Sequence, residues 1–397
     1  MKKNLLFVIP SLNSGGGEKS LVNLLSQIDF DQYEVDLFLL NHEGLFMELL
    51  PKQVRVLPLP VAFQIFGKSL AESVQQFLSR GNLMLALNRI MFSVKNRSNK
   101  QTSIGEQNSW KYLASSLLPL SQTYDAAIGF LEKTSIYFCV EKVHAGKKIG
   151  WIHTDYDKLG MNPDFDIHYF KQLDHIVTVS EECSNILKRR FPMQAPKVNV
   201  IHNIVSPSVI KSMADKEHQD VYGRKEDEAV ILSVGRLNHE KGFEMAIAAC
   251  KILVDRGYNI QWNIIGEGKE RETLLSLIAE LGLEKHFKLL GLKSNPYTYI
   301  KQSDIYVQTS KFEGKSIAID EAKILNKPIV ITRFNTAKDQ INDGIDGLIV
   351  DMDAEAIASG IEKLLTDQSL SLTMVEQLSR QKLGTEEEIM KLYQLLA

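Results

Sequence analysis

No apolar run in this sequence approaches the roughly 18 residues of a membrane-spanning helix, so a helical span is not expected. The opening MKKNLLFVIPSLN imitates a signal peptide, but its apolar core, Leu5 to Pro10, is too short and reads better as a buried first strand. Only three cysteines occur, Cys139, Cys183 and Cys250, scattered and odd in number. They offer neither a disulfide framework nor metal-ligand spacing, and a reduced, cytoplasmic location is the default. Net charge is only −3 and no recognition module is visible, so nucleic acid is a poor partner. Two phosphate-loop signatures are missing as well. The loop SLNSGGGEKS ends in Glu18-Lys19-Ser20, where a P-loop needs Gly-Lys-Ser, and Ser20 stands where a dinucleotide fingerprint needs its third glycine.

What is present is an α/β rhythm long enough for two cores. At 397 residues, with 44% hydrophobic and 24% charged side chains, the chain exceeds the size at which one core usually divides. Residues 1–203 read as a Rossmann-like domain, with strands at Leu5 to Ile9, Val35 to Leu40, Val54 to Leu57, Ala126 to Phe130, Lys148 to Ile152, His175 to Val179 and Val198 to Ile201. The glycines after the first strand let another molecule approach the backbone closely. A helical insertion, 61–120, interrupts this domain. Between Val61 and Leu118 it carries seven basic residues (Lys68, Arg80, Arg89, Lys95, Arg97, Lys100, Lys111) against Glu72 and Glu106, a pattern that suggests an anionic membrane surface. An ordinary helix burying its apolar side reads equally well.

Asn203 to Glu228 is polar, has periodicity for no more than one short helix and reads as a linker, and 204–385 reads as a second α/β domain. Its strands are expected at Ala229 to Val234, Ile260 to Ile265, Phe287 to Leu290, Asp304 to Gln308, Pro328 to Thr332 and Leu348 to Val350. Its first helix is expected from about Phe243 to Asp255. After the opening strand come Gly235-Arg236-Leu237 and Glu240-Lys241-Gly242, which put two cations beside a helix start, where an anion would be held. Gly266-Glu267-Gly268 marks a close backbone approach. Glu313 and Glu321 flank a further helix start, with Ser316 as N-cap and Asn326 and Pro328 as stop. Two carboxylates there would accept hydrogen bonds from the hydroxyls of a sugar or ribose. Asp-x-Asp pairs such as Asp155 with Asp157 do not rise above chance, and no metal is expected.

Glu313, seven intervening residues and Glu321, following G-R-L and E-K-G in order, resemble the retaining glycosyltransferases of family 4. The likeness is strong from Gly235 to Val330 and fair in the first domain. It implies the GT-B fold, two Rossmann-like domains facing across a cleft, with 386–397 as a helix packing back on the first domain. It implies Arg236, Lys241 and Glu313 as catalytic residues, the first two on the diphosphate and Glu313 on the donor sugar. Glu321 would take the ribose hydroxyls, while Gly16, Gly17, His153, Gly266, Gly314, Lys315 and Ser316 would contact the donor. Leu290-Gly291-Leu292-Lys293 would meet the base. Lys315 departs from the family pattern, so the hexose is not inherited. The implied activity is transfer of a hexose from a nucleotide-diphosphate sugar, UDP-sugar favoured, to a saccharide acceptor, lipid-linked at the cytoplasmic face, in surface polysaccharide assembly, without cofactor or metal. The rival readings are a sugar-nucleotide epimerase of the same fold and a non-catalytic nucleotide-sugar binder or assembly scaffold.

Overall fold

A computed structural model of the chain describes residues 2–13, 15–98, 102–215, 220–225, 227–293 and 295–397. Lys100 of the basic cluster, and 216–219 and 226 of the expected linker, lie outside them. The chain divides into two compact units, one of Met1–Asn13, Gly17–His202 and Glu387–Ala397 and one containing Asn203–Glu386.

The first unit opens with β1 (Lys3–Ile9), α1 (Gly16–Leu25), β2 (Tyr33–Leu39) and β3 (Arg55–Val56). The helical insertion follows as α2 (Val61–Phe66), α3 (Leu70–Ser79), α4 (Leu83–Ser98) and α5 (Thr102–Ala114). The sheet then resumes with β4 (Thr123–Phe130), α6 (Thr134–Lys142), β5 (His144–Ile152), α7 (Pro163–Phe170), β6 (His175–Thr178), α8 (Glu181–Arg190) and β7 (Val198–Val200). All seven strands are parallel, in the order β3-β2-β1-β4-β5-β6-β7. A parallel sheet covered on both faces needs continuous apolar strands, and Leu5 to Ile9 are fully buried. Because β1 leads outward to β2 and β3 and the chain returns to β4 on the other side, the direction of winding switches between β1 and β4. Loops leaving the strand ends on either side of such a switch part from each other and leave a crevice.

In the second unit, the short helix within the expected linker Asn203 to Glu228 is α9 (Pro207–Ala214), and it packs as part of the unit instead of merely leading into it. Val205, Ile210 and Ala214 are buried in the core of this unit, and the Tyr222 hydroxyl donates to the Tyr299 carbonyl at 2.7 Å. A few apolar residues at helical spacing were hidden among polar ones. The sheet comprises β8 (Ala229–Val234), α10 (Phe243–Asp255), β9 (Ile260–Ile265), α11 (Arg271–Glu280), β10 (Phe287–Leu289), α12 (Pro296–Gln302), β11 (Ile305–Gln308), α13 (Ile317–Ile324), β12 (Ile329–Thr332) and β13 (Leu348–Val350). Its strands are parallel in the order β10-β9-β8-β11-β12-β13.

Alternation along these strands builds two cores. Ile231, Trp262, Ile264 and Val330 join α10, α11 and α14 (Ala354–Thr366) on one face, while Leu232, Ile265, Ile329 and Ile331 join α9, α12 and α13 on the other. The winding switch falls between β8 and β11. After α15 (Gln368–Arg380) the chain ends in α16 (Ile389–Leu396), which belongs to the first unit. There Tyr393 stacks on Tyr33 with ring centroids 5.0 Å apart and accepts a hydrogen bond from the Asp29 amide at 2.8 Å.

Candidate functional site

At the switch point of the second sheet the loops after β8 and β11 are bonded to each other. Gly242 adopts φ of 62°, a left-handed turn between the short turn His239–Lys241 and α10, and a Cβ there would lie 2.3 Å from the Thr309 carbonyl oxygen. Thr309 Oγ1 donates to the Lys241 carbonyl at 2.9 Å, and the Lys311 amide donates to the Glu240 carbonyl at 2.8 Å. These contacts set Lys241 against Glu313, and the two side chains form an ion pair, each less than a fifth exposed. Gln308 Nε2 and Ser310 Oγ also donate to Glu313 Oε1, at 2.8 and 2.7 Å. Three donors on one carboxylate oxygen fix its position, so Lys241 and Glu313 are brought together as a preorganised pair.

Arg236 lies on the same loop and is exposed, and its side chain makes no hydrogen bond or ion pair among the described residues. The aliphatic part of Lys241 runs past Gly235, where a Cβ would sit 3.3 Å from Lys241 Cδ and Cε. The glycine turn after β9 has a structural cause. A Cβ on Gly266 would lie 1.9 Å from the Gly235 carbonyl oxygen, and one on Gly268 would lie 2.4 Å from that of Leu237. The close approach expected at Gly266 is therefore made by the chain's own backbone, which sets the loop carrying Arg236. Gly291, with φ of 71°, accepts the Gly266 amide at 3.0 Å.

Glu313 to Ser316 are held from two sides. Gln340 accepts the Ser316 amide at 2.8 Å and donates to the Ser316 carbonyl at 2.7 Å, while Ser316 Oγ donates to Gln308 Oε1 at 2.9 Å. Ser316 stands at the N-cap position, but its hydroxyl accepts no amide of α13 and is turned to Gln308. Asn326 does end the helix, with φ of 53°. Gly314 is buried in this loop. The cation expected beside a sugar pocket at Lys315 has a local partner: its Nζ is 3.8 Å from Asp320 Oδ2. Glu321 lies deeper, on α13. It is 1% exposed, and its carboxylate accepts the Tyr297 hydroxyl at 3.3 Å.

The first unit has its own cluster at the end of its sheet. A Cβ on Gly17 would lie 2.6 Å from Leu131 Cδ2 and 3.8 Å from His153 Cγ, so the loops after β1, β4 and β5 meet there. Gly16 has open space around it, and no contact requires it to be glycine. The His153 ring lies against Phe130, with centroids 4.6 Å apart, and against Trp151. Burial pushes its pKa down to about 3, so the imidazole is neutral at ordinary pH, and its Nε2 is buried without a hydrogen-bond partner among the described residues.

Beneath it lies Glu132, which no sequence pattern singled out. Its carboxylate accepts the amides of His153 and Thr154 at 2.6 and 3.0 Å, and burial pushes its pKa up. Its neighbours Leu131 and Lys133 have φ of 136° and 66°, conformations rare for side-chain-bearing residues. A lone acid in FLEKTS gave no signal. Gln308, Ser310 and Gln340 were invisible for the same reason: each acts through contacts that only the folded loops create.

Among known families, residues 214–381 match the model described as glycosyl transferases group 1. The N-acetylgalactosamine-N,N'-diacetylbacillosaminyl-diphospho-undecaprenol 4-alpha-N-acetylgalactosaminyltransferase of Campylobacter jejuni is 29% identical over 51% of this chain and 53% of its own. The capsular polysaccharide biosynthesis glycosyltransferase CapM of Staphylococcus aureus is 33% identical over 37% of this chain and 40% of its own. The chain spans about half the length of the curated relatives it matches. The crystal structure of Anabaena HepE in complex with UDP-glucose aligns with a TM-score of 0.73 over 99% of both chains, at 16% identity. At that identity the likeness establishes the fold, two parallel-sheet α/β domains of the GT-B type.

Proposed function

We propose that this protein is a retaining glycosyltransferase that moves a hexose from a nucleotide-diphosphate sugar, a UDP-sugar by preference, to a lipid-linked saccharide. The Lys241–Glu313 pair at the winding switch of the second sheet carries the reading. That is where open α/β sheets bind ligands, and the pair offers one group for phosphate and one for hydroxyls. Support comes from the family match over residues 214–381 and from relatives named for capsular and undecaprenol-linked sugars. The HepE structure is described as holding UDP-glucose.

In this mechanism Glu313 holds the place of the substrate anion. When the diphosphate enters, Lys241 exchanges Glu313 for a phosphate oxygen, and Arg236 grips the diphosphate with its guanidinium fork. Glu313, still held by Gln308 and Ser310, then accepts hydroxyls of the donor sugar, with the backbone of Gly314, Lys315 and Ser316 beside it. Ribose hydroxyls reach Glu321 when the Tyr297 hydroxyl gives way. Gly16, Gly17 and the neutral Nε2 of His153 are carried in this reading as further donor contacts. The bond from the anomeric carbon to the diphosphate oxygen breaks, and the acceptor hydroxyl oxygen bonds to that carbon on the same face. Its proton passes to the departing phosphate, whose charge the two cations stabilise. The reading calls for no metal and no cofactor.

A thermal-shift panel of UDP, GDP and their sugars tests the donor site. A ligand at 100 times its dissociation constant adds about 2.7 kcal/mol to stability. UDP and a UDP-sugar should raise the melting temperature, and membranes carrying lipid-linked acceptor should elicit UDP release that Lys241→Ala and Glu313→Ala abolish. No shift with any nucleotide, or conversion of the sugar nucleotide without an acceptor, would overturn the proposal.

A further inference from the structure

The helical insertion of the first unit buries one side of α4 and leaves a second apolar side bare. Leu85, Ala86 and Phe92 pack on Ile65, Phe66 and Phe77 in a small core of their own. Leu83, Met84, Leu87, Ile90 and Val94 of the same helix are exposed, Leu83 at 70% and Leu87 at 54%. At about 100° of rotation per residue, Leu83, Leu87, Ile90 and Val94 fall within an arc of roughly 60°. They form one stripe. The stripe is continuous with an apolar groove of 780 Å³ lined by Leu70, Ala71, Val74 and Leu78 of α3 and Ile90 of α4. Such a contiguous surface marks an interaction site.

Charge identifies what it meets. Over residues 61–98 Glu72 stands against Lys68, Arg80, Arg89, Lys95 and Arg97. Glu72 is engaged with Ser69, and Arg89 is turned inward, donating to the carbonyls of Phe66 and Lys68 with its guanidinium over the Phe66 and Phe92 rings. Arg80, Lys95 and Arg97 are exposed. By the same rotation Arg97 falls about 20° beyond one edge of the stripe and Lys95 about 80° beyond the other, so the two flank it. A second copy docked here would bring like charges together around the seam. An anionic bilayer satisfies both features at once.

We propose that the α3–α4 face docks on an anionic lipid bilayer. Helix α4 lies in the interface plane, with Leu83, Leu87, Ile90 and Val94 in the acyl boundary and Arg80, Lys95 and Arg97 among the headgroup phosphates. For its purpose, delivery to a lipid-linked acceptor, this rests on the proposed function. For its observation it stands on the insertion alone.

Co-sedimentation of the full chain with vesicles tests it, using phosphatidylcholine–phosphatidylglycerol mixtures and phosphatidylcholine alone. The chain should sediment with the mixed vesicles at least tenfold more than with the neutral ones. Leu83→Glu/Leu87→Glu should lose that binding while its melting temperature and its UDP shift stay those of the unaltered chain, and Arg80→Glu/Arg97→Glu should weaken it several-fold. Failure to bind the mixed vesicles, equal binding to neutral ones, or unchanged binding by the Glu variants would overturn the proposal. A dimer by light scattering that Leu83→Glu/Leu87→Glu dissolves would assign the face to a second copy and overturn it too. Lost vesicle binding with an intact UDP shift removes this docking alone, and the converse removes the nucleotide site alone.

Discussion

The two winding switches of this molecule are built from opposite materials. In the second unit the loops after β8 and β11 meet through polar contacts, with Lys241, Gln308 and Ser310 converging on one oxygen of Glu313. In the first unit the loops after β1, β4 and β5 meet through apolar contacts, with Leu131, Phe130 and Trp151 around His153 and Glu132 holding the amides beneath. A polar cluster can exchange an internal partner for a ligand. An apolar one can present a single neutral nitrogen and hold it still. The same topology is therefore closed by charged and polar groups in one unit and by apolar ones in the other.

Glycine substitution gives the sharpest contrast. Gly266→Ala forces a Cβ to 1.9 Å from the Gly235 oxygen, and it should destabilise the chain by about 3 kcal/mol or more in denaturant titration. Gly16→Ala at the start of α1 meets nothing within 4 Å, and it should stay within about 0.5 kcal/mol of the unaltered chain or gain slightly. Equal effects would remove the distinction drawn between the two glycine loops.

Lys241→Ala takes the counter-ion from a largely buried carboxylate. It should cost about 1–2 kcal/mol of stability and at least about 10²-fold in nucleoside diphosphate release. The double variant with Glu313→Ala should lose less stability than the sum of the singles, as a double-mutant cycle would measure. Strict additivity would mean that the pair is not coupled.

In the first unit, Glu132→Ala leaves the His153 and Thr154 amides without their acceptor. It should cost about 1–2 kcal/mol, most of which Glu132→Gln should restore through its remaining carbonyl oxygen. An equally unstable Gln variant would show that the ionised carboxylate is what matters.

The smallest effect is a pH slope. The His153 pKa falls to about 3 on folding, so between pH 6.5 and 3 the unfolded chain binds a proton that the folded chain refuses. Stability should therefore drop as pH falls below 6.5, by at most about 1.4 kcal/mol per pH unit from this group. Glu132 acts in the opposite sense, since its raised pKa gives stability that is lost as pH rises through the folded value. His153→Gln should flatten the slope between pH 6.5 and 5, and an unchanged slope there would mean that the imidazole protonates as freely folded as unfolded.

Local pattern made much of the fold legible. The strands of the second sheet follow from short apolar runs between turn residues, and α10 from its helical periodicity, so that Phe243–Asp255 is found where the sequence places it. Helix α9 was legible only as a short helix in a linker; its place in the core was not, because its buried positions are few and sit in a polar stretch. The site divides in the same way. Arg236, Lys241 and Glu313 carry charges at strand ends and announce themselves. Gln308, Gln340 and Glu132 are ordinary polar residues whose roles depend on partners between 5 and 24 positions away.

The sequence by itself determined the two α/β units, their strands and the placement of Arg236, Lys241 and Glu313 just beyond strand ends, because periodicity and charge are local properties of the chain. Only the tertiary structure decided that Lys241 is held by Glu313, that Lys315 is turned to Asp320, that Glu321 is buried against Tyr297, and that one side of α4 is left bare. A side chain's partner is set by whichever loop packing brings beside it, and packing is a property of the whole fold.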